Sequence, residues 1–285
     1  MNHPAEVAIH SFLQNVMLGK ASMDKGTIDL VSKDVRDALS RQFSGEKRKF
    51  KLRMSNIGRK KCQLWFDKNR PEEKISDSPY FLINMILGDI IEAVFKGLLR
   101  AADVKFDDSE QVSLPIKGGH VDGTYDLVLN GKVDDVKSAS PWAYENKFID
   151  FETLQSKDSF GYVSQLVGYA KAKGVPVGGW WVVNKANGNF KYVSASDVDT
   201  EGEMKKIQST IDYINNDEPF ERCYEPIAET YYGKPSGNMK LGIECSFCSY
   251  KDKCWDLKVL PSKVSKSANP PLINYVKLAD AQDTI

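Results

Sequence analysis

The sequence predicts an α/β fold, a mixed central sheet flanked by helices, on three observations. Asn130-Gly131 sits between two strand-like runs and is a strong hairpin signal, because both residues tolerate positive φ. Gly178 to Lys185 and Phe190 to Val193, separated by Asn187-Gly188, read as a second hairpin. Between and before these hairpins, apolar residues recur at three- and four-residue steps, the period of an amphipathic helix.

At 285 residues the chain is one large domain or two small ones, long enough for a sizeable core. Composition is that of an ordinary globular protein, 41% hydrophobic and 27% charged. Lys plus Arg equals Asp plus Glu at 39 each, so attraction to a polyanion has to come from local patches. No run approaches the roughly 18 apolar residues of a membrane span. The first twenty residues lack the basic start and apolar core of a signal peptide. The expectation is a cytoplasmic protein with no membrane partner, in which structural disulfides are rare.

In chain order, residues 1–26 give no firm element. Ile28, Val31, Val35, Leu39 and Phe43 mark a helix. The basic run Glu46 to Lys61, closing on Arg59, Lys60 and Lys61, is the one concentrated positive patch and a candidate for phosphate contact. Ser78-Pro79 reads as an N-cap followed by proline at the first helical position. The helix it opens, to about Arg100, is apolar almost all round and is expected to be buried on most sides. Glu92 is a carboxylate inside it, between Ile91 and Ala93.

Gln111 to Ile116 is a short strand whose Pro115 marks an edge or an end. Residues 141–157 resist classification. Ser159 starts a helix that carries Gln165 and Tyr169 at i and i+4. Trp180 and Trp181 are expected to pack in the fold. Glu201 to Asn216 is an amphipathic helix, Pro226 to Asn238 is loop-rich, and the stretch from Pro261 reads as a tail.

Alternation places His120, Asp122, Thr124 and Asp126 on one face of the first hairpin strand, and Asp135 and Lys137 on one face of the second. Val136 points the other way. Carboxylate oxygens suit Mg²⁺, which keeps several waters and takes one or two protein carboxylates. Such a metal acidifies a water and neutralises phosphoryl charge, and a nearby lysine stabilises the nucleophile or the transition state. An ideal two-residue turn pairs Asp135 with Asp126 and leaves Asp122 about 13 Å away at ~3.3 Å per residue, a gap that a bulge or strong twist has to close.

Asp122-Gly123, twelve residues, then Asp135-Val136-Lys137 resembles the D…(D/E)-x-K signature of the PD-(D/E)XK nuclease superfamily. The resemblance implies a restriction-endonuclease-like core with Asp122 and Asp135 as metal ligands, the Val136 carbonyl as a further ligand and Lys137 as the catalytic lysine. Asp122 comes first because of its Gly-x-x-Asp-Gly setting, with Asp126 in reserve. Gly88 followed by Glu92 resembles the helix motif that completes the metal site in the RecB-like branch. Gln165 and Tyr169 resemble that branch's QxxxY motif, which is taken to orient the substrate strand or the catalytic lysine.

Cys245, Cys248 and Cys254 form C-x₂-C-x₅-C, metal-ligand spacing that wants a fourth thiol from Cys62 or Cys223. One cysteine before the nuclease motifs and three after resembles iron–sulfur RecB-like nucleases of the AddB type and the CRISPR-associated exonucleases. That likeness selects Cys62 and implies a [4Fe–4S] cluster joining the two ends of the domain, a C-terminal iron–sulfur region with Cys223 left as a buried, inert thiol. Zinc is the nearest rival. The sequence departs from the pattern in Gln63 after Cys62 and in Asp, not Glu, at 135.

The resulting organisation is an N-terminal helical region 1–78 with the basic run, a nuclease core 79–200, a cysteine region 201–260 and a tail 261–285. The expected function is a Mg²⁺- or Mn²⁺-dependent deoxyribonuclease, an exonuclease acting in recombination, repair, or phage or CRISPR DNA processing. DNA is its partner, alongside other DNA-processing proteins. Gln165, Tyr169, Arg59, Lys60 and Lys61 are its substrate contacts. Two alternatives stay open: a non-catalytic nucleic-acid-binding module that keeps the fold and cluster, and a redox-sensing or electron-transfer protein.

Overall fold

The computed structural model describes residues 3–45, 49–75 and 78–279; Glu46, Lys47 and Arg48 of the basic run lie outside them. The elements begin with α1 (Pro4–Met17), α2 (Lys25–Gln42), α3 (Lys61–Asn69) and α4 (Pro79–Ala101). Next come β1 (Phe106–Ile116), β2 (Gly119–Leu129), β3 (Lys132–Ala139), α5 (Pro141–Asn146), α6 (Phe151–Ser156) and α7 (Tyr162–Lys173). They are followed by β4 (Val177–Asn184), β5 (Phe190–Ser194), α8 (Thr200–Asn215), β6 (Ile227–Tyr231) and β7 (Lys234–Lys240). The last are α9 (Ile243–Ser246), α10 (Lys251–Cys254), β8 (Lys258–Pro261) and β9 (Leu272–Lys277). The chain divides into two compact units, Met1–Gly58 with Ser78–Asp212, and Arg59–Asp77 with Tyr213–Ile285.

The first unit is built on a five-stranded sheet in the order β1-β2-β3-β4-β5. Only β3–β4 is parallel, so the sheet is mixed. The parallel step needs a crossover, and α5, α6 and α7 supply it. The β2–β3 turn is the tight hairpin expected: Leu129 pairs with Lys132, and Asn130 and Gly131 have φ of 52° and 74°. β1 lies at the sheet edge, where Pro115 costs no ladder bond to a second neighbour.

Neighbouring residues of the inner strands enter different cores, which puts helices on both faces. Val133, Trp180 and Val182 pack with Val163, Leu166 and Val167 of α7. Val136 and Trp181 pack with Ile9 of α1 and Phe95 and Leu99 of α4. Trp180 and Trp181 are both fully buried. The Ser78 hydroxyl caps α4 at the Tyr80 N–H.

α4 departs from its expected burial. Tyr80 is 78% exposed, and Phe81, Ile83, Met85 and Leu87 are exposed too. Phe95 and Leu99, in its later turns, supply its side of the core. An apolar circumference fixes a helix's propensity for burial, but only the turns that meet a partner are covered.

The second unit contains a four-stranded antiparallel sheet in the order β6-β7-β9-β8. The stretch read as loop, Pro226 to Asn238, instead forms β6 and most of β7. The stretch read as a tail supplies β9, which pairs with both β7 and β8. Pairing with two neighbours outweighed the tail-like composition of Leu272–Lys277, and Tyr275 is buried there. On the edge strand β6, Glu229 is 1% exposed and accepts hydrogen bonds from Ser236, Asn238 and Tyr275 at 2.9, 2.8 and 2.7 Å.

Candidate metal and phosphate site

The register of the β2–β3 hairpin decides which carboxylates meet. Leu127 pairs with Asp134 and Val128 with Val133. The ladder ends there, with Asp126 and Asp135 the next residues on the two strands. Asp126 Oδ2 accepts the Val136 N–H at 2.7 Å. Lys137 Nζ lies 2.5 Å from Asp135 Oδ2, with both side chains largely buried.

α4 brings Glu92 into the same electrostatic neighbourhood. Burial and the Asp126 charge push the Glu92 carboxyl up to about 7, against the pull of Lys96. Burial and the Asp135 charge likewise push Asp126 up to about 7, against Lys137. Asp135 is raised by burial, opposed by Lys137, with Glu92 adding to the rise. Lys137 loses by burial but gains more from Asp135 and Asp126, so it is held above the ordinary lysine value and stays an ammonium. One buried and two half-buried carboxyls that raise one another are a group that favours an added cation.

Lys137 is also oriented from α7. Its Nζ reaches Gln165 Oε1 at 3.4 Å, and Gln165 Nε2 donates to Tyr169 Oη at 3.2 Å. Tyr169 is 3% exposed, so within this unit it braces Gln165 and does not present a surface to a strand. Gln165 thus contacts Lys137, and Tyr169 contacts Gln165.

Asp122 does not join this group. Its carboxylate takes Lys51 Nζ at 2.7 Å and Ser113 Oγ at 2.9 Å, with His120 Nε2 3.5 Å away. The hydrogen bonds from Lys51 and Ser113 hold it below the usual carboxylate range. The β1–β2 pairing keeps one offset from Phe106↔Leu129 to Ile116↔Gly119, with no register shift that would bring Asp122 four residues closer. Asp126, the reserve, is the residue that bonds the backbone between Asp135 and Lys137.

Asp89, on the same helix as Glu92, pairs with Arg41 and Gln42 of α2 at 3.0 and 2.8 Å and is a surface partner.

Two lysines near the cluster escaped the sequence reading. Lys96, 4% exposed, bridges Glu92 Oε1 and Asp108 Oδ1 at 3.1 and 3.2 Å, and Arg100 also pairs with Asp108. Its i+4 spacing from Glu92 was a legible signal. Lys147, 6% exposed, sits 4.4 Å from the Tyr162 ring centroid, and Lys137 sits 5.1 Å from the same centroid. Burial, with the Lys137 charge, lowers Lys147 against the pull of Asp158. Only the tertiary crossover brings it there.

The residues present fit a divalent ion in their chemistry. Asp135 is 2% exposed and its Oδ1 has no hydrogen-bond partner, a buried acceptor of the kind a metal satisfies. Among the described residues, however, no three His, Cys, Asp or Glu side chains stand close enough to form a metal-binding group as they are placed.

All five cysteines, and Arg59, Lys60 and Lys61, belong to the second unit. Lys60 Nζ lies over the Tyr224 ring and Lys61 Nζ over the Tyr213 ring, at 5.6 and 5.4 Å. The cysteines are all free. The expectation for Cys223 is corrected: it is exposed, and its Sγ accepts the Cys62 N–H at 3.1 Å. The hydrogen bond from Cys62, against burial, and the ammoniums of Lys60 and Lys61 draw the Cys223 thiol down to about 6. Cys62 is driven up by its bond to Cys223 and by burial, and Cys248 adds to the rise. Cys245 is pushed up to about 11 by burial and by Cys248 and Cys254. Arg222 holds the Cys254 carbonyl with Nε and Nη2 at 3.0 and 2.7 Å.

No family model matches the chain, and no curated protein matches it. Among solved structures it is similar to one described as "Crystal structure of SSO0001", with 12% identity over 82% of this chain and 98% of that one and a TM-score of 0.43. A likeness of that size carries no argument about function. No helix among the described residues is long and apolar enough to cross a membrane.

Proposed function

We propose that this chain is a divalent-metal-dependent deoxyribonuclease, with exonucleolytic action, that uses Mg²⁺ or Mn²⁺ held by Glu92, Asp126, Asp135 and the Val136 carbonyl. The observation that carries the reading is a buried Asp135 paired with Lys137, with an oxygen that no protein donor satisfies and with the half-buried Asp126 and Glu92 near enough for the three carboxyls to raise one another. A purely structural hairpin has no use for that arrangement, since each uncompensated buried charge costs free energy.

When bound, the ion would acidify a water and offset charge on the scissile phosphate. Lys137 remains protonated, so it acts as a fixed positive donor, holding a phosphate oxygen or the attacking hydroxide, and not as the base. Gln165 and Tyr169 limit the motion of its Nζ. Asp126 also holds the Val136 N–H, which fixes the backbone between Asp135 and Lys137.

The second part of the proposal is a [4Fe–4S] cluster on Cys62, Cys245, Cys248 and Cys254. Its support is that these thiols lie in one unit and raise one another. Arg59, Lys60 and Lys61 are proposed to contact DNA phosphates.

The test is a cleavage assay on anaerobically purified protein, using end-labelled single- and double-stranded DNA with Mg²⁺, Mn²⁺ or EDTA. Label release that needs the metal and is lost in Asp135→Ala is the expected result, with circular DNA spared. Retained DNA binding without cleavage in any metal would replace the reading with a non-catalytic binding module.

A further inference from the structure

Asp134 is the neighbour of Asp135, and its side chain faces the opposite side of the sheet. It is 1% exposed. Its Oδ1 accepts the Gly179 N–H at 2.8 Å and the Tyr192 O–H at 3.0 Å, and its Oδ2 accepts the Trp181 indole N–H at 3.1 Å. One carboxylate thus ties β3 to β4 and β5.

The tie falls at an irregularity. Val133 pairs with Val177 but Asp135 pairs with Trp180, so two residues of β4, Gly178 and Gly179, stand opposite the single residue Asp134. A bulge of this kind leaves a backbone N–H outside the ladder, and Asp134 takes up that of Gly179. Both glycines are required by space. A Cβ on Gly178 would lie 1.9 Å from Asp134 Oδ1, and one on Gly179 would lie 2.2 Å from the Val193 carbonyl oxygen. Downstream, the pairs Asp135↔Trp180, Val136↔Trp181 and Lys137↔Val182 all follow the shifted register. A slip by one residue would exchange the two faces of β3 and send Asp135 and Lys137 to the wrong side.

We infer that Asp134 is a positioning residue: a carboxylate that locks the Gly178-Gly179 bulge and so fixes the register that presents Asp135 and Lys137 together. Its effect on metal and catalysis rests on the nuclease reading above; its effect on register does not.

The test is Asp134→Asn in the full chain, alone and combined with Trp181→Phe. Asn keeps an oxygen for the Gly179 and Tyr192 donors but turns an amide N–H₂ toward the Trp181 indole N–H, setting donor against donor. Three measurements are made: amide hydrogen exchange at Val136 to Ala139, Mn²⁺ affinity by electron paramagnetic resonance with Mn²⁺ alone, and kcat and KM on end-labelled DNA.

The expected result for the single variant is faster exchange along β3, with Mn²⁺ affinity and kcat reduced about 10–100-fold and KM little changed, the range typical of residues that orient metal ligands. Trp181→Phe in the same chain removes the opposing donor and restores exchange protection and affinity toward those of Trp181→Phe alone. A single variant that is too unstable to purify, rescued by the double variant, supports the same conclusion. Lower melting temperature with unchanged exchange at Val136 to Ala139 and unchanged Mn²⁺ affinity overturns it, leaving Asp134 a packing residue. A wild-type protein that neither binds Mn²⁺ nor cleaves DNA removes the nuclease reading, and hydrogen exchange alone then decides whether Asp134 sets the register.

Discussion

Glu229 in the second unit and Asp135 in the first are equally removed from water, at 1% and 2% exposure, yet they are treated in opposite ways. Glu229 is surrounded by three donors, from Ser236, Asn238 and Tyr275. Those bonds outweigh burial and bring its carboxyl down to about 2. Asp135 has one ammonium beside it and an oxygen that nothing satisfies, and burial leaves it raised, as it leaves Asp126 and Glu92. A buried carboxylate that the fold satisfies is a structural part; one that the fold leaves short of partners is a candidate for an external cation.

The sharpest way to break this contrast is to remove the reactive pair. Lys137→Ala is expected to lower cleavage by at least about 10²–10³-fold, as loss of a fixed charge-stabilising donor does, with circular dichroism unchanged. Undiminished cleavage would falsify its assigned role.

In the second unit, Cys254→Ala is expected to lose the brown colour and much of its solubility, because structural metal sites contribute folding free energy. Cys223→Ala should keep both. Visible absorbance of anaerobically purified variants checks this, and equal colour in the two would remove Cys254 from the proposed ligand set.

The choice between Asp126 and Asp122 comes next. Asp126→Asn is expected to weaken Mn²⁺ binding by about 10–100-fold, whereas Asp122→Asn, paired with Lys51 outside the cluster, should change it by less than about threefold. Titration calorimetry distinguishes them, and the reverse ranking would reinstate Asp122.

The smallest effects are those of pH. The folded-state values of Asp126 and Glu92 lie above their ordinary 3.8 and 4.5, at about 7. The folded protein therefore binds extra protons between about 4 and 7, and these groups cost stability increasingly as pH rises through that window. Mn²⁺ should raise the melting temperature more at pH 8 than at pH 5; an equal rise at both would mean the cation binds elsewhere. Glu229 has the opposite sign. Its stabilisation is complete above about 4.5 and is lost as pH falls toward about 2. Glu229→Gln, which offers an amide to three donors, should cost about 1–3 kcal/mol near neutrality and less in acid, as read by urea unfolding at the two pH values.

Much of the first unit was legible in the residues themselves. Asn130-Gly131 set the hairpin, Ser78-Pro79 the start of α4, and period-2 alternation the shared face of Asp135 and Lys137. These signals are local, and each is decided by the φ preferences and side-chain directions of a few residues. The hairpin rule also placed Asp126 nearer than Asp122 to the Asp135-Val136-Lys137 run, and Asp126 bonds the Val136 N–H. β6, β7 and β9 were missed because their alternation is weak, so pairing partners decide them.

The sequence by itself determined which residues are able to be strand, turn and helix, and which carry oxygen, nitrogen and sulfur ligands. The tertiary structure decided which of them meet. Asp126 bonds the Val136 N–H while Asp122 pairs with Lys51; Glu92 and Lys96 arrive from a helix, and Lys147 from a crossover, that no local rule orients toward β3. The first unit's cluster is a product of long-range packing, which a period read along one strand does not contain.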